Sequence, residues 1–367
     1  MHDTRQRRLA AQAASDRILS GVRPATMREH LAELGAGADL DGQPDYYGDG
    51  PVAALEERVA ELLGTEAAVF FPTGTMAQQV ALRHGADRTG HRTAALHPLG
   101  HQEVHERHAY AQLSGLRSTW PTTEPRNPTA EEISALAEPV STLVIELPLR
   151  DAGFVLPSWD ELVAASAAAR AVGARMHFDG ARIWESTPYL GHTLSEIAGL
   201  ADSTYVSFYK SLGGISGGAL AGSTELAAYA GVWRHRYGGQ VFQQWPAALS
   251  ALAGLDRVLP RLPEYVRHAR TVAAALAALP GARVYPDPPH THQFRLWLPH
   301  PAQALNEAAL ALAEKEKVWF VAGWQETEVL GVSRTEVTVA APGLEWSAEE
   351  IVEIGERFLH AAGALRD

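Results

Sequence analysis

Residues 206–218 read Val-Ser-Phe-Tyr-Lys-Ser-Leu-Gly-Gly-Ile-Ser-Gly-Gly, an apolar run that ends in Lys210 and passes into glycines. The other lysines of the chain, Lys315 and Lys317, share a polar run typical of a solvated helix face. Basic charge elsewhere is arginine, and lysine, unlike arginine, can lose its proton when buried and attack a carbonyl carbon. Two interpretations follow: a strand-end lysine that forms a Schiff base with a cofactor, or a lone lysine in an arginine-biased chain.

The composition is that of a globular protein and excludes several classes of function. Hydrophobic residues make up 46% of the 367 residues, which is ample for a core. A net charge of −12 disfavours nucleic acid and anionic membranes as partners. The absence of cysteine excludes disulfides, thiolate catalysis and zinc–thiolate sites. No apolar run has transmembrane length, and the charged N-terminus lacks the apolar stretch of a secretory signal, so we expect a cytoplasmic protein.

Short apolar segments alternate with helical segments through the first two thirds of the chain, which predicts an α/β fold with a mostly parallel sheet. Predicted strands include Ala67–Phe71, 142–147 and 204–208, and a predicted helix spans 157–172 with Ser158 as its N-cap. Ligands bind beyond the carboxyl ends of such strands. The polar residues that follow predicted strands are Thr73, Thr75, His97, His101, Glu146, Asp179 and Lys210.

The pattern of elements also predicts a division into domains. Residues 1–45 are expected to form an N-terminal arm, and residues 46–248 a large domain that holds the sheet. After residue 248 long alanine-rich helices and scattered strands predict a smaller α/β domain over 249–367.

Two further segments suggest chemistry. Pro72-Thr73-Gly74-Thr75 opens a predicted helix, where backbone N–H groups and hydroxyls could bind an anion, although simple N-capping explains the threonines equally. His101, His105 and His108 would share one face of a helix. This cluster favours contact with a cofactor or substrate, then a solvated surface, and last a metal site, because the spacing is not that of a His-Glu-x-x-His motif. We predict no metal.

Several motifs together resemble those of the threonine aldolase and β-eliminating lyase family, whose members use pyridoxal phosphate and share the aspartate-aminotransferase-like fold, fold type I. The resemblance is strongest from about residue 45 to 248. It rests on Asp45-Tyr46-Tyr47-Gly48-Asp49, Pro72-Thr73-Gly74-Thr75, the spacing of His101 and Glu106, His177-Phe178-Asp179-Gly180-Ala181-Arg182-Ile183, and Lys210-Ser211-Leu212-Gly213.

The resemblance implies a role for each matching residue. Lys210 would hold pyridoxal 5′-phosphate covalently, and Asp179 would pair with its pyridine nitrogen. Gly74 and Thr75 would bind the phosphate, His101 would stack on the ring, and Arg182 would bind the substrate carboxylate. The other implied residues are Thr73 and Ser207 at the cofactor, Glu106 among the catalytic residues, and Tyr47, His105 and Arg334 at the substrate.

The resemblance further implies cleavage of the Cα–Cβ bond of a β-hydroxy-α-amino acid to glycine and an aldehyde. Departures from the family pattern lie on the substrate side. The family's Glu-Asn-Thr-His segment, whose histidine lies by the substrate hydroxyl, reads Glu146-Leu147-Pro148-Leu149 here, and Tyr209 replaces a serine. Elimination, or other chemistry at Cα of an unusual amino acid, is therefore an alternative, and so is a non-catalytic protein that binds the cofactor.

A homodimer or a tetramer of dimers is expected, because Tyr46, Tyr47 and the Gly238-Gly239 loop complete the neighbouring subunit's site in this family.

Overall fold

The computed structural model describes residues 2–36 and 40–364, and their contacts divide into two compact units. The larger unit comprises residues from Leu31 to Pro260. The smaller unit combines the chain up to His30 with the chain from Arg261 onward. No helix in the described ranges is both long and apolar enough to cross a membrane.

A seven-stranded sheet forms the centre of the larger unit. Its strands run, from one edge to the other, Ala67–Phe71, Gly218–Gly222, Ser203–Ser207, Arg175–Gly180, Thr142–Glu146, Thr93–Ala95 and Arg117–Thr119. Only Gly218–Gly222 runs against its neighbours; the other strands all point the same way. The predicted α/β fold with a mostly parallel sheet is therefore confirmed.

One helix of the larger unit begins with a capping signal that the sequence shows. Trp159–Ala171 opens with a reciprocal capping box, because Ser158 accepts from the Glu161 amide and Glu161 accepts from the Ser158 amide. This confirms Ser158 as the N-cap. The remaining helices are Pro51–Leu63, Gly74–Thr89, His101–Val104, Ala109–Ser114, Ala130–Ser134, Thr187–Leu190, Leu194–Ala198, Thr224–Arg236 and Trp245–Arg257.

The smaller unit has a four-stranded antiparallel sheet in the order Gln325–Glu326, Ser333–Thr338, Gln293–Leu298, Arg283–Tyr285. Phe294 and Leu296 of this sheet are buried together with Phe320, Trp346 and Phe358. The helices around that core are His2–Ala13, Leu262–Ala277, Ala302–Glu316 and Ala348–Ala364. The helix Met27–Gly35 contains the boundary between the units.

The compact units differ in their bounds from the predicted domains. The start of the chain groups with the smaller unit, where Arg17–Ile18 forms a parallel strand pair with Val318–Trp319. Arg7 also forms an ion pair with Glu314, at 2.7 Å between Nε and Oε1. The helix Trp245–Arg257 belongs to the larger unit, where it packs against Pro51–Leu63.

Candidate active site

The carboxyl ends of three adjacent strands bring Glu146, Asp179 and Lys210 close to one another. Glu146 lies opposite Asp179 in one strand pair, and Asp179 lies opposite Tyr205 in the next. Lys210 follows the last of these strands, in a loop between Ser203–Ser207 and Gly218–Gly222. Two backbone hydrogen bonds close this loop, from the Phe208 amide to the Gly217 oxygen at 3.2 Å and from the Gly214 amide to the Phe208 oxygen at 2.8 Å.

Burial lowers the pKa of Lys210 from its usual value. The nearby positive charges of Arg182 and Arg150 lower it further, while the carboxylates of Asp179 and Glu146 act in the opposite direction. A lowered pKa increases the fraction of neutral amine, which is the nucleophilic form. The position and environment of Lys210 therefore suit covalent chemistry with a carbonyl group.

Asp179 is completely buried beside this lysine. One carboxylate oxygen accepts a hydrogen bond from Gln102 Nε2 at 3.0 Å, and the other accepts from the Ala181 amide at 3.2 Å. These bonds fix the orientation of the carboxylate in the site. Gln102 was not predicted, since a neutral amide two residues into a helix has no distinctive sequence signal.

Two glutamates near Asp179 have raised pKa values. Burial, then the charge of Asp179, raises the pKa of Glu146 to about 8, although the amides of Arg150 and His101 donate to its carboxylate. Burial raises the pKa of Glu106 to about 7, while a hydrogen bond from Gln79 at 2.9 Å opposes the rise. Both groups can thus hold or release a proton near neutral pH.

The turn after Ala67–Phe71 offers a place for an anion. Thr73 is the N-cap of the helix Gly74–Thr89 and accepts from the Met76 amide at 3.4 Å, as the capping interpretation predicted. A Cβ atom added at Gly74 would collide with the Tyr205 hydroxyl, so no side chain fits there. The Ser207 hydroxyl is buried and has no hydrogen-bond partner among the described residues. A helix N-terminus, a glycine and an unsatisfied hydroxyl together suit a phosphate.

Arg182 follows Asp179 by three residues and presents a planar cation to the same region. Its guanidinium lies over the Phe154 ring, 5.4 Å from the centroid. The buried Nε of Arg182 has no hydrogen-bond partner among the described residues. An unsatisfied guanidinium of this kind suits a carboxylate ligand.

The prediction that His101, His105 and His108 share a helix face is wrong. The helix that begins at His101 ends at Val104, and left-handed backbone at Arg107 (φ 52°) and His108 (φ 55°) then turns the chain. The rings of His101 and His105 nevertheless lie 5.3 Å apart. No group of three or more histidine, cysteine or carboxylate side chains in the described ranges is arranged to hold a metal ion.

The pKa of His101 is lowered, first by burial and then by the charges of Lys210, His105 and Arg182, with Asp179 opposing. His101 Nε2 also lies 3.7 Å from Glu106 Oε1. A ring that stays neutral in this position suits stacking on a flat cofactor.

Tyr47 and Arg334 were also predicted at the substrate. Tyr47 is 43% exposed, with left-handed backbone (φ 56°), and packs with Tyr46 and Phe242 in an aromatic cluster. Arg334 belongs to the smaller unit, on the strand Ser333–Thr338, where it lies opposite Trp297. Their roles at a substrate stay predictions.

Comparison with known proteins identifies the family. Residues 20–296 match the beta-eliminating lyase family, which is three quarters of the chain, and the protein therefore belongs to that family. A proposed L-allo-threonine aldolase of Listeria monocytogenes has a similar structure, with a TM-score of 0.90 and 32% identity over 98% of this chain and 99% of that one.

Other relatives have related names. A protein of Exiguobacterium, described as an aromatic amino acid beta-eliminating lyase/threonine aldolase, is 34% identical over 97% of this chain and 99% of its own, with a TM-score of 0.90. The low specificity L-threonine aldolase of Escherichia coli is 31% identical over 228 residues, which cover 60% of this chain and 67% of the relative.

Proposed function

We propose that this protein is a pyridoxal-phosphate-dependent carbon–carbon lyase that cleaves a β-hydroxy-α-amino acid to glycine and an aldehyde. The observation that carries the proposal is the half-buried Lys210, whose pKa is lowered, beside the fully buried Asp179 at one sheet edge. The threonine aldolase names of the similar proteins from Listeria monocytogenes and Escherichia coli support it.

The residues present fit the cofactor. The phosphate would lie at the start of the helix Gly74–Thr89, where Gly74 leaves room and the Ser207 hydroxyl lacks a partner. Asp179 would hold the pyridine nitrogen, and Lys210 would bind the aldehyde carbon. When bound, pyridoxal phosphate supplies an electron sink for bonds at the substrate's α-carbon.

The chain's own residues would orient the substrate and move its protons. Arg182 would bind the substrate carboxylate through its guanidinium, in which Nε lacks a partner. His101 would cover one face of the cofactor ring, and the neighbouring Glu106, with a pKa of about 7, would hold or release a proton near neutral pH. Glu106 is buried and Arg182 and His101 are half-buried, which strengthens their electrostatic interactions and limits access of water.

A β-elimination that yields a keto acid and ammonia is the second candidate. The Exiguobacterium relative, whose description includes a beta-eliminating lyase, favours it. Products separate the two reactions, since only aldol cleavage gives glycine with an aldehyde.

We extend the proposal to a homodimer or a tetramer of dimers. The aromatic cluster of Tyr46, Tyr47 and Phe242 supports this, because their exposed fractions are 65%, 43% and 52% in the single chain. Exposed aromatic groups of this kind are common in protein interfaces. Light scattering that finds an active, monodisperse monomer would contradict it.

The experiment adds pyridoxal phosphate to wild-type protein, Lys210→Ala and Lys315→Ala, and records visible absorbance and products from a panel of β-hydroxy amino acids. Lys315 is an exposed helix residue and is the matched lysine control. We expect absorbance and product with wild type and Lys315→Ala, and neither with Lys210→Ala. Absorbance without product across the panel would favour a non-catalytic cofactor-binding protein, and wild-type protein without absorbance would refute the proposal.

A further inference from the structure

The side chain of His105 forms a pair with Asp151 at the margin of the site. Its Nε2 lies 2.6 Å from Asp151 Oδ2, a short contact typical of a bond to a charged acceptor. The two residues come from different segments, since His105 follows the short helix His101–Val104 and Asp151 follows the strand Thr142–Glu146. Their pairing thus depends on the fold.

Arg150 lies beside this pair, with its Nη1 3.5 Å from Asp151 Oδ1. At 2.6 Å from a carboxylate oxygen, His105 Nε2 is placed to donate a hydrogen bond, which leaves a lone pair on Nδ1. Arg150 Nη1 also lies 3.5 Å from His105 Nε2, a longer contact than the one with Asp151, and among the described residues Nδ1 has no hydrogen-bond partner. The pair therefore presents an oriented base.

The pair is partly exposed and lies beside other predicted residues of the site. The His105 side chain is 38% exposed, and its ring lies 5.3 Å from the ring of His101. The charges of Asp179, Lys210 and Arg182 in turn act on the pKa of His101. The backbone amide of Arg150 donates to Glu146 at the sheet edge, which ties the segment that carries Asp151 to the site.

We infer that His105 accepts the β-hydroxyl proton of the substrate and that Asp151 positions it; this step rests on the proposed lyase function. The hydroxyl proton moves to His105 Nδ1, and the electrons of the O–H bond form the carbonyl of the aldehyde. The Cα–Cβ bond breaks, and its electron pair stays with the α-carbon, which a proton then converts to glycine. Protonated His105 returns its proton to solvent, and no oxidant or reductant is needed.

The test separates hydroxyl deprotonation from every other step. Exchange of the glycine α-proton with deuterium in D₂O, followed by NMR, needs the cofactor and Lys210 but involves no hydroxyl group. We compare His105→Phe, which keeps an aromatic ring, with His108→Phe, a matched control from the same segment that is 62% exposed and lies 3.6 Å from Glu103. Cofactor absorbance is recorded for each variant.

For His105→Phe we expect kcat for β-hydroxy amino acid cleavage to fall by about 10²–10⁴-fold, the usual contribution of general base catalysis. Glycine exchange and absorbance should stay within about twofold of wild type, and His108→Phe should behave as wild type. Asp151→Asn should lower kcat by about tenfold with little change in KM, because only proton transfer is affected. Asp151→Glu should recover part of that loss.

Cleavage by His105→Phe at the wild-type rate would overturn the inference, and so would an equal loss of cleavage and glycine exchange. A change of KM alone in Asp151→Asn would overturn its positioning role. Wild-type protein that exchanges glycine protons but cleaves no β-hydroxy amino acid would refute the lyase function itself and this step with it. If the wild-type protein cleaves β-hydroxy amino acids but the His105 and Asp151 variants do not show the expected losses, this inference is refuted and the proposed function stands.

Discussion

Replacing Gly74 by alanine would force a side chain into the start of the helix Gly74–Thr89. The added Cβ would collide with the Tyr205 hydroxyl and lie 2.8 Å from ring atom Cζ. Tyr205 is 2% exposed on a central strand and has no room to move. Overpacking of this kind destabilises the folded protein by about 1–3 kcal/mol. Alanine also reduces the conformational freedom of the unfolded chain, which stabilises the folded protein by about 0.4–1 kcal/mol. We expect the free energy of unfolding to fall by about 1–2 kcal/mol.

Urea unfolding followed by circular dichroism measures this change. Gly231→Ala is the matched control, because Gly231 also lies in a helix but an added Cβ meets nothing within 4 Å. That control should be neutral or stabilised by up to about 1 kcal/mol. Gly74→Ala should cost less in a Tyr205→Phe background, where the nearest colliding atom is absent. If Gly74→Ala is as stable as the wild-type protein while the control behaves as expected, the claim that Tyr205 is fixed is refuted.

Other predictions concern pH, ligand binding and a helix end. Between pH 4.5 and about 7, Glu106 binds a proton more readily in the folded than in the unfolded chain, so stability falls as pH rises through this range, by on the order of 3 kcal/mol. Glu106→Gln should flatten that slope in denaturation curves of cofactor-free protein, and an unchanged slope would contradict it. Arg182→Lys should raise KM for the amino acid about tenfold or more, since lysine lacks the planar fork; steady-state kinetics with wild-type KM would argue against carboxylate binding there. Ser158→Ala removes the N-cap bond of Trp159–Ala171 and should lower the free energy of unfolding by about 0.5–2 kcal/mol, which thermal melting would detect.

The sequence predicts the sheet well, because short apolar runs and the polar residues at their ends are local signals. A mostly parallel sheet then requires that Glu146, Asp179 and Lys210 meet at one edge, and they do. The turn before the helix Gly74–Thr89 was also recognisable, since a capping threonine and a glycine open the helix there.

Features that depend on distant contacts were not predictable in this way. Arg17–Ile18 pairs with Val318–Trp319 across three hundred residues, which no periodic pattern reveals. The prediction that the histidines share a helix face is wrong because the helix ends at Val104 and left-handed backbone follows at Arg107 and His108. Neither arginine nor histidine predicts left-handed backbone. Gln79 and Gln102 contact Glu106 and Asp179 only in the folded chain.

The loop that carries Lys210 joins strands that are neighbours both in sequence and in space, with Ser207 paired to Gly218. The pairing of Glu146 with Asp179, in contrast, must wait for the intervening helix Trp159–Ala171 to pack against the strand Arg175–Gly180. Closing a short loop costs less chain entropy than closing a long one, and local contacts form faster. During folding we therefore expect the hairpin that carries Lys210 to form before Glu146 and Asp179 are paired, so that the order of assembly runs opposite to the order of residues along the chain.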